Sequence, residues 1–442
     1  MKFKVNLLLP IGLVLVLLYF YLFYFVQRWE SLQLISVYIL IFLGYLLLIQ
    51  QKSKFQLRHL IWLAIILRLI PIASTPALSD DFYRFIWDGL VWSNGINPFY
   101  LTPKALLETD LINANDYLLS IYELLNSQET YTVYPAIPQY INIIAVKLFP
   151  GNLIGTITIM RFFILLMEIG SIYFLIQLLG LYKQDLKLVI IYALNPLVII
   201  ELSGNLHHEG LMIMFFLGFF YYLKKQRTSL SAGFMAFSVA SKLLPLMFLP
   251  FILFRTKNPI RFSLILLICL ALLFFPLLDQ SFLFGMKSSL ELYYQKFEFN
   301  AGLYYLAREI GYWYYGYNAI GLIGKAFFIL ASIGIALITL GGILRKINEP
   351  NVLTFLYLLF LLFSLIIHPW YILMLMALAP LSKLRFSLSW SFLIFLSYLG
   401  YSQTGFIENY WVVVIEYLGL VIALFYDWKN YALSRATLKD AP

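Results

Sequence analysis

Residues 59–89 read HLIWLAIILRLIPIASTPALSDDFYRFIWDG. A run nearly long enough to cross a bilayer ends at Pro71 and Pro76, and an acidic, helix-compatible stretch follows at once. The same alternation of greasy run and polar break recurs along the chain, with apolar runs opening at about residues 5, 32, 59, 152, 188, 210, 262, 321, 351, 386 and 411. Of the 442 residues 62% are hydrophobic and only 12% charged, too little polar surface to solubilise two or three globular domains. A mean hydropathy of +0.85 excludes a disordered chain, and a lone cysteine, Cys269, inside an apolar run excludes a disulfide scaffold. The fold class that follows is all-α, a polytopic membrane bundle of about 12–14 segments, some of half length.

Charge sets the orientation. A net charge of +9 would suggest nucleic acid in a soluble protein, but here the Lys and Arg residues sit in short clusters between apolar runs, so no nucleic-acid partner is implied. With alternate loops inside, the cytoplasmic clusters are Lys2 and Lys4; Lys52, Lys54 and Arg58; Lys183 and Lys187; Lys224, Lys225 and Arg227; Arg255, Lys257 and Arg261; Arg345 and Lys346; Lys383 and Arg385; and Lys429, Arg435 and Lys439. They hold 20 of the 31 Lys and Arg residues. The first run exceeds a signal-peptide core and has no small-residue cleavage site near Gln27 and Arg28, so it reads as an uncleaved anchor with a cytoplasmic N-terminus. Residues 228–254 carry basic clusters on both flanks, which requires a hairpin of two short helices turning near Ser241, Lys242 and Pro245; a similar short return is expected after Pro369. Residues 1–442 are read as one transmembrane domain with two extracytoplasmic segments, 74–135 and 279–320.

Residues 74–135 contain 8 of the 22 acidic residues, opposed only by Arg84 and Lys104. A loop of this length in a compact bundle is more often functional than passive. Ser79 is a good N-cap for the helix that follows, on which Asp81, Arg84 and Asp88 share one face while Asp80, Arg84 and Trp87 share its neighbour. The plainer alternative is a surface Asp81–Arg84 pair worth ~0.5 kcal/mol beside a favourable helix dipole. Position argues for more, because these carboxylates would hang over the outer mouth of the bundle.

The stretch Ser79-Asp80-Asp81-Phe82-Tyr83-Arg84-Phe85-Ile86-Trp87-Asp88-Gly89, followed by Gly95-Ile96-Asn97-Pro98-Phe99, resembles the GT-C superfamily of integral-membrane glycosyltransferases, most closely its bacterial mannosyltransferase-like branch. Members of that branch typically carry Ser-Asp-Asp-x-x-Arg-x-x-Trp-Asp-Gly and then Gly-x-Asn-Pro-Tyr. Phe99 replaces the usual Tyr, and Tyr134-Pro135-Ala136 departs from the common Tyr-Pro-Pro. Further matches are Asn205-Leu206-His207-His208-Glu209, where the family often shows Asn-x-His-x-Asp, then Lys242, and His368-Pro369-Trp370-Tyr371.

What the resemblance implies is inverting transfer of a hexose, mannose in this branch, from a polyprenyl-phosphate donor lipid to a hydroxyl of a glycan or lipid-linked acceptor, on the extracytoplasmic face of a bacterial inner membrane. Such chemistry needs a general base, cations for the departing phosphate and a greasy path for the lipid. The family's catalytic Asp falls on Asp80 or Asp81. Asp81 is favoured as base because it shares a helical face with Arg84, and Asp80 is assigned to orientation or acceptor binding. Arg84, Trp87, Asp88, Asn97, Tyr134 and Gln139 are expected around the substrate.

Cations in or beside apolar runs need compensation, since a charge near the bilayer centre costs ~3 kcal/mol or more. Glu168 on the same helix would serve Arg161, while Arg68 and Lys325 lie near helix ends where they can snorkel. Lys242, at a hairpin turn, and Arg308, in the second outer segment, are the candidates for phosphate. His207 and Glu209 are assigned to hydrogen bonds with sugar or phosphate, with interfacial capping as the alternative, and His368 to ligand contact or interfacial anchoring. No cofactor is required by these residues. A divalent metal at the Asp pair stays open, although adjacent His207 and His208 cannot share a helical face and form no recognisable zinc set. The tyrosine clusters of the second outer segment read first as an interface belt, with stacking of some of them on acceptor sugars as the alternative. A lipid-linked-sugar transporter or flippase would not need the 62-residue acidic loop, whereas an outer-face ligase or polymerase shares the chemistry and differs in acceptor.

Overall fold

The computed structural model describes residues 7–112, 115–295, 297–382 and 384–439, so Lys2, Lys4 and Lys383 of the basic clusters lie outside the described residues. Six of the described helices are long and apolar enough to cross a membrane: Leu8–Phe25, Ser31–Gln50, Leu153–Leu181, Pro259–Leu277, Ile320–Leu344 and Tyr410–Asn430. Their runs of Leu, Ile and Phe satisfy every backbone group within the helix, which is what a hydrocarbon solvent demands. A further apolar pair, Leu186–Ala193 and Pro196–Gly204, is bent by 55° where Pro196 follows Asn195, as in a broken span or a re-entrant loop. Shorter apolar helices, among them Ala136–Leu148, Glu349–Leu362 and Pro369–Ser382, fill the space between the long ones. The chain is an all-α polytopic bundle. A two-residue β-hairpin, Tyr401–Ser402 with Gly405–Phe406, is a small departure from that class.

The expected short return is present. Helix Thr228–Ser241 ends at Lys242, whose backbone is extended (φ −160°, ψ 137°), and Leu244–Phe248 then leads into Leu249–Arg255. Basic clusters gather at one end of the bundle, where Lys52 meets Asp185 at 2.8 Å, Lys187 reaches the Ser53 carbonyl at 3.2 Å and Lys224 meets Glu349 at 3.3 Å.

Buried cations pair differently from the expectation. Arg68 does not snorkel: it is wholly buried, with Nε donating to Glu168 at 2.7 Å and its guanidinium also donating to the carbonyls of Ala64 and Ala193. Glu168 uses its other oxygen to accept from Ser203 Oγ at 2.6 Å. Arg161 therefore has no claim on Glu168, and donates instead to the carbonyls of Ile72, Ser74, Ser203 and Gly204 at 2.7–3.1 Å. Two physical facts explain the exchange. Residues seven apart on one helix are separated by ~10 Å along its axis, beyond direct contact. The π-turn Ile199–Gly204 ends the bent pair and leaves carbonyls without amide partners, which the Arg161 guanidinium supplies. One arginine thus ties the end of the broken helix to the strand of chain that leads into the acidic loop.

Candidate active site

Helix Asp81–Ser93 opens the acidic loop. Asp80 occupies its N-cap position without a side-chain capping bond, and Ser79 Oγ accepts from the Asp81 amide at 3.3 Å, so Ser79 stands one residue outside the cap it was expected to fill. Gly89 lets this helix press against Ala136–Leu148, for a Cβ there would lie 2.6 Å from the Asn142 carbonyl oxygen.

Arg84 turns away from Asp81. Its Nε meets Asp88 at 2.8 Å, and its guanidinium donates to the carbonyls of Ser127 and Thr130. Asp88 in turn accepts from Thr132 Oγ1 at 2.5 Å and Gln139 Nε2 at 2.9 Å. Arg84 and Asp88 are both buried, where an unmatched charge would be severely penalised, while Asp81 has access to water and does not need the partner. Arg84, Asp88 and Gln139 thereby lock the returning loop onto the helix. Trp87 is buried behind that lock, 5.7 Å from the ring of Tyr122. Asn97 bridges the two outer segments, donating to Leu277 O and Asp279 at 2.9 Å and accepting from the Phe99 amide. Arg308 is held by Glu298 at 2.5 Å and Glu309 at 3.0 Å.

Above the bundle core lies a cavity of about 740 Å³. Asp80, Asp81, Arg84, Tyr134, His207, Glu209, Lys242 and His368 all border it, whereas Trp87, Asp88, Asn97, Gln139 and Arg308 do not. Asp80 is paired with Arg28 at 2.5 Å. Asp81 forms no ion pair among the described residues and accepts instead from Tyr134 Oη at 3.3 Å and Asn126 Nδ2 at 3.4 Å. Opposite them Lys242 pairs directly with Glu209 and sits over the ring of Tyr371 at 4.5 Å. Leu243, Leu244, Met286, Leu290 and Phe360 make an apolar flank.

Rings form the remaining wall. Trp370 lies between His207, at 3.7 Å, and His368, at 4.3 Å, and Phe299 covers the far side of His368 at 4.3 Å. His208 is wedged between Phe85 and the edge of Tyr134. Burial, with His207 and Lys242 nearby, pushes the imidazoles of His208 and His368 down to about 3, so both are neutral hydrogen-bonding groups. Among the described residues no three His, Cys, Asp or Glu side chains converge as a metal would require.

Arg28, Tyr401 and Glu201 were not foreseen as parts of this region. Arg28 comes from the short turn between the first two long helices and also lies over the Tyr401 ring at 5.0 Å. A lone guanidinium on the side that the positive-inside pattern leaves poor in cations was the available signal. Glu201 could have been noticed as a carboxylate stranded in an apolar run.

The model of the MptA_B family, described as alpha-(1->6)-mannopyranosyltransferase, N-terminal domain, matches residues 22–257, just over half of the 442. The chain belongs to this family. It is a membrane-embedded glycosyltransferase, and the family's activity is mannosyl transfer. No curated protein matches the sequence. In the mannosyltransferase the matched stretch supplies Arg28, both Asp residues, His207, Glu209 and Lys242 to the cavity, and the later part of the chain supplies His368, Trp370, Tyr401 and Phe406.

Proposed function

We propose that this mannosyltransferase takes mannose from a polyprenyl-phosphate donor and places it, with inversion, on a hydroxyl of a glycan or lipid-linked acceptor, on the extracytoplasmic face of a bacterial inner membrane, and that the whole chain works as one GT-C-type unit. Asp81 is the general base. The observation that carries this reading is the contrast between the two carboxylates at the cavity: Asp80 is committed to Arg28, and among the described residues Asp81 is held by a hydroxyl and an amide alone, partners of the kind that an acceptor hydroxyl can displace. As the acceptor oxygen attacks the anomeric carbon, the bond to phosphate breaks and the acceptor proton passes to Asp81.

The departing phosphate needs a cation to take up its developing charge. Lys242 and Arg28 border the cavity and serve that need, while Asp80 orients through Arg28. His207 and His368 meet the sugar, and the flank of Leu243, Leu244, Met286 and Leu290 suits a polyprenyl chain. The buried residues Arg84, Asp88 and Gln139 act by holding Asp81 and Tyr134 in register.

The test is an in-vitro transfer assay on the purified chain with a panel of polyprenyl-phosphate sugars, comparing wild type with Asp80→Asn and Asp81→Asn. Transfer of mannose that falls by ~10²- to 10⁴-fold in Asp81→Asn supports the assignment. Full activity in both variants removes it, and movement of labelled lipid-linked sugar across vesicles without a new glycosidic bond would make the protein a transporter.

A further inference from the structure

Glu201 has no task in the reaction just described. It lies in the π-turn Ile199–Gly204, is wholly buried, and accepts from Tyr398 Oη at 2.9 Å and Asn205 Nδ2 at 2.9 Å. Its Oε2 stands 3.4 Å from His207 Nε2. The chain between the two residues is unusual, because Leu206 takes φ +65°, a region that a branched apolar side chain rarely enters. Irregular turns and left-handed residues of this sort collect where a structure must present a particular group. Here they bring the His207 ring back over the carboxylate and flat against Trp370, whose other face is closed by His368. Among the described residues Nε2 of His207 is buried and makes no hydrogen bond, with the Glu201 carboxylate the acceptor beside it at 3.4 Å, and His207 borders the cavity, so Nδ1 is the nitrogen left to meet a ligand.

A neutral imidazole carries one donor and one acceptor, and the partner of one nitrogen decides the state of the other. A carboxylate can only accept, so a carboxylate facing Nε2 selects the form with a proton on Nε2 and a lone pair on Nδ1. We propose that Glu201 is a positioning residue for His207, fixing the tautomer in which Nδ1 accepts a hydrogen bond from a hydroxyl of the sugar being transferred. This rests on the reading of the cavity as the site of mannosyl transfer. A separation of 3.4 Å is long for an N–H···O bond, and hydrogen bonds of this kind tighten when the substrate is in place.

With four histidines in the chain, the nitrogen-15 spectrum of the histidine-labelled protein in nanodiscs reads the tautomer directly. The His207 signals are those lost in His207→Asn, and in the wild type they should report a protonated Nε2. Glu201→Gln keeps the shape and the acceptor for Tyr398; with its amide nitrogen where Oε2 stands, and the Asn205 amide turned to present its oxygen, it donates to Nε2, so the proton should move to Nδ1. In the transfer assay with a short-chain polyprenyl-phosphate mannose, kcat/KM should fall roughly 10- to 100-fold in Glu201→Gln, the size expected for losing one hydrogen bond to substrate. The double variant Glu201→Gln/His207→Asn should be no slower than His207→Asn alone, and Glu201→Asp should keep the wild-type tautomer. A wild-type His207 protonated on Nδ1 would overturn the proposal, and that measurement needs no folded variant at Glu201; so would rate losses that multiply in the double variant. If the spectra behave as stated while no mannose is transferred, the positioning stands and the transfer reading fails instead.

Discussion

Replacing Glu168 with Leu should destabilise the protein through Arg68. The carboxylate accepts from Arg68 Nε at 2.7 Å and from Ser203 Oγ at 2.6 Å, and both side chains of the ion pair are fully buried. Its loss leaves a guanidinium in the bundle interior with, among the described residues, the Ala64 and Ala193 carbonyls alone to face it. Breaking a buried pair from one side costs ~3–5 kcal/mol, which is roughly two to four decades in the unfolding equilibrium. The second substitution gives the argument its sign. Adding Arg68→Met removes the uncompensated charge and restores an apolar contact, so the double variant should return to within ~1–2 kcal/mol of wild type, the remainder being the lost partner of Ser203. Reversible unfolding in mixed micelles with increasing sodium dodecyl sulfate, followed by far-ultraviolet circular dichroism, measures each variant. Rescue by Arg161→Met in place of Arg68→Met, or a single-variant loss under ~1 kcal/mol, would refute the pairing and the reasoning built on it.

Other expectations are as direct. Asp81→Asn should retain expression and thermal stability, since among the described residues its carboxylate binds Tyr134 and Asn126 alone, while transfer falls ~10²- to 10⁴-fold in a radiolabelled-mannose assay. Gly89→Ala places a methyl 2.6 Å from the Asn142 carbonyl oxygen, so the Asp81 helix must shift; a stability loss of ~1–3 kcal/mol, measured by the same micellar unfolding, should come with reduced transfer. Acid should also destabilise the protein through His208. Folded, the imidazole is held down to about 3 against 6.5 when free, so its contribution is complete above about pH 6.5 and is lost as pH falls towards 3. Thermal unfolding between pH 7.5 and 4.5 should therefore show a steeper loss in wild type than in His208→Gln.

Much of this architecture is legible in the amino-acid order. The apolar runs, the return at Lys242 and the acidic loop each follow from local composition, because a bilayer leaves few ways to satisfy a backbone. Side-chain pairing is less accessible. Helical spacing puts Asp81 and Asp88 equally within reach of Arg84, and burial, a property of the assembled bundle, chooses Asp88. The partner of Glu168 comes from a helix 100 positions earlier in the chain, and no periodicity within one helix reports that. Arg28, His207, Trp370 and Tyr401 border one cavity only because four separate segments converge there. The motif Asn205 to Glu209 marks the place of two histidines, yet the carboxylate beside His207, Glu201, sits before the motif and is revealed by the bend.

The division of labour around the cavity bears on how the protein can be cut. A fragment ending at residue 257 would keep Asp80, Asp81, Glu209 and Lys242, yet it would lack Phe299, His368, Trp370, Tyr401 and Phe406, which close the opposite side. On the proposed reading of the cavity, such a piece would leave its acids and its amine uncovered on that side, where water would compete with an alcohol for the glycosyl group. If mannose is transferred in this cavity as proposed, the later half of the molecule is the wall that shields it, and an enzyme assembled from two co-expressed fragments would have to bring both sides together before it could prefer a sugar acceptor over water.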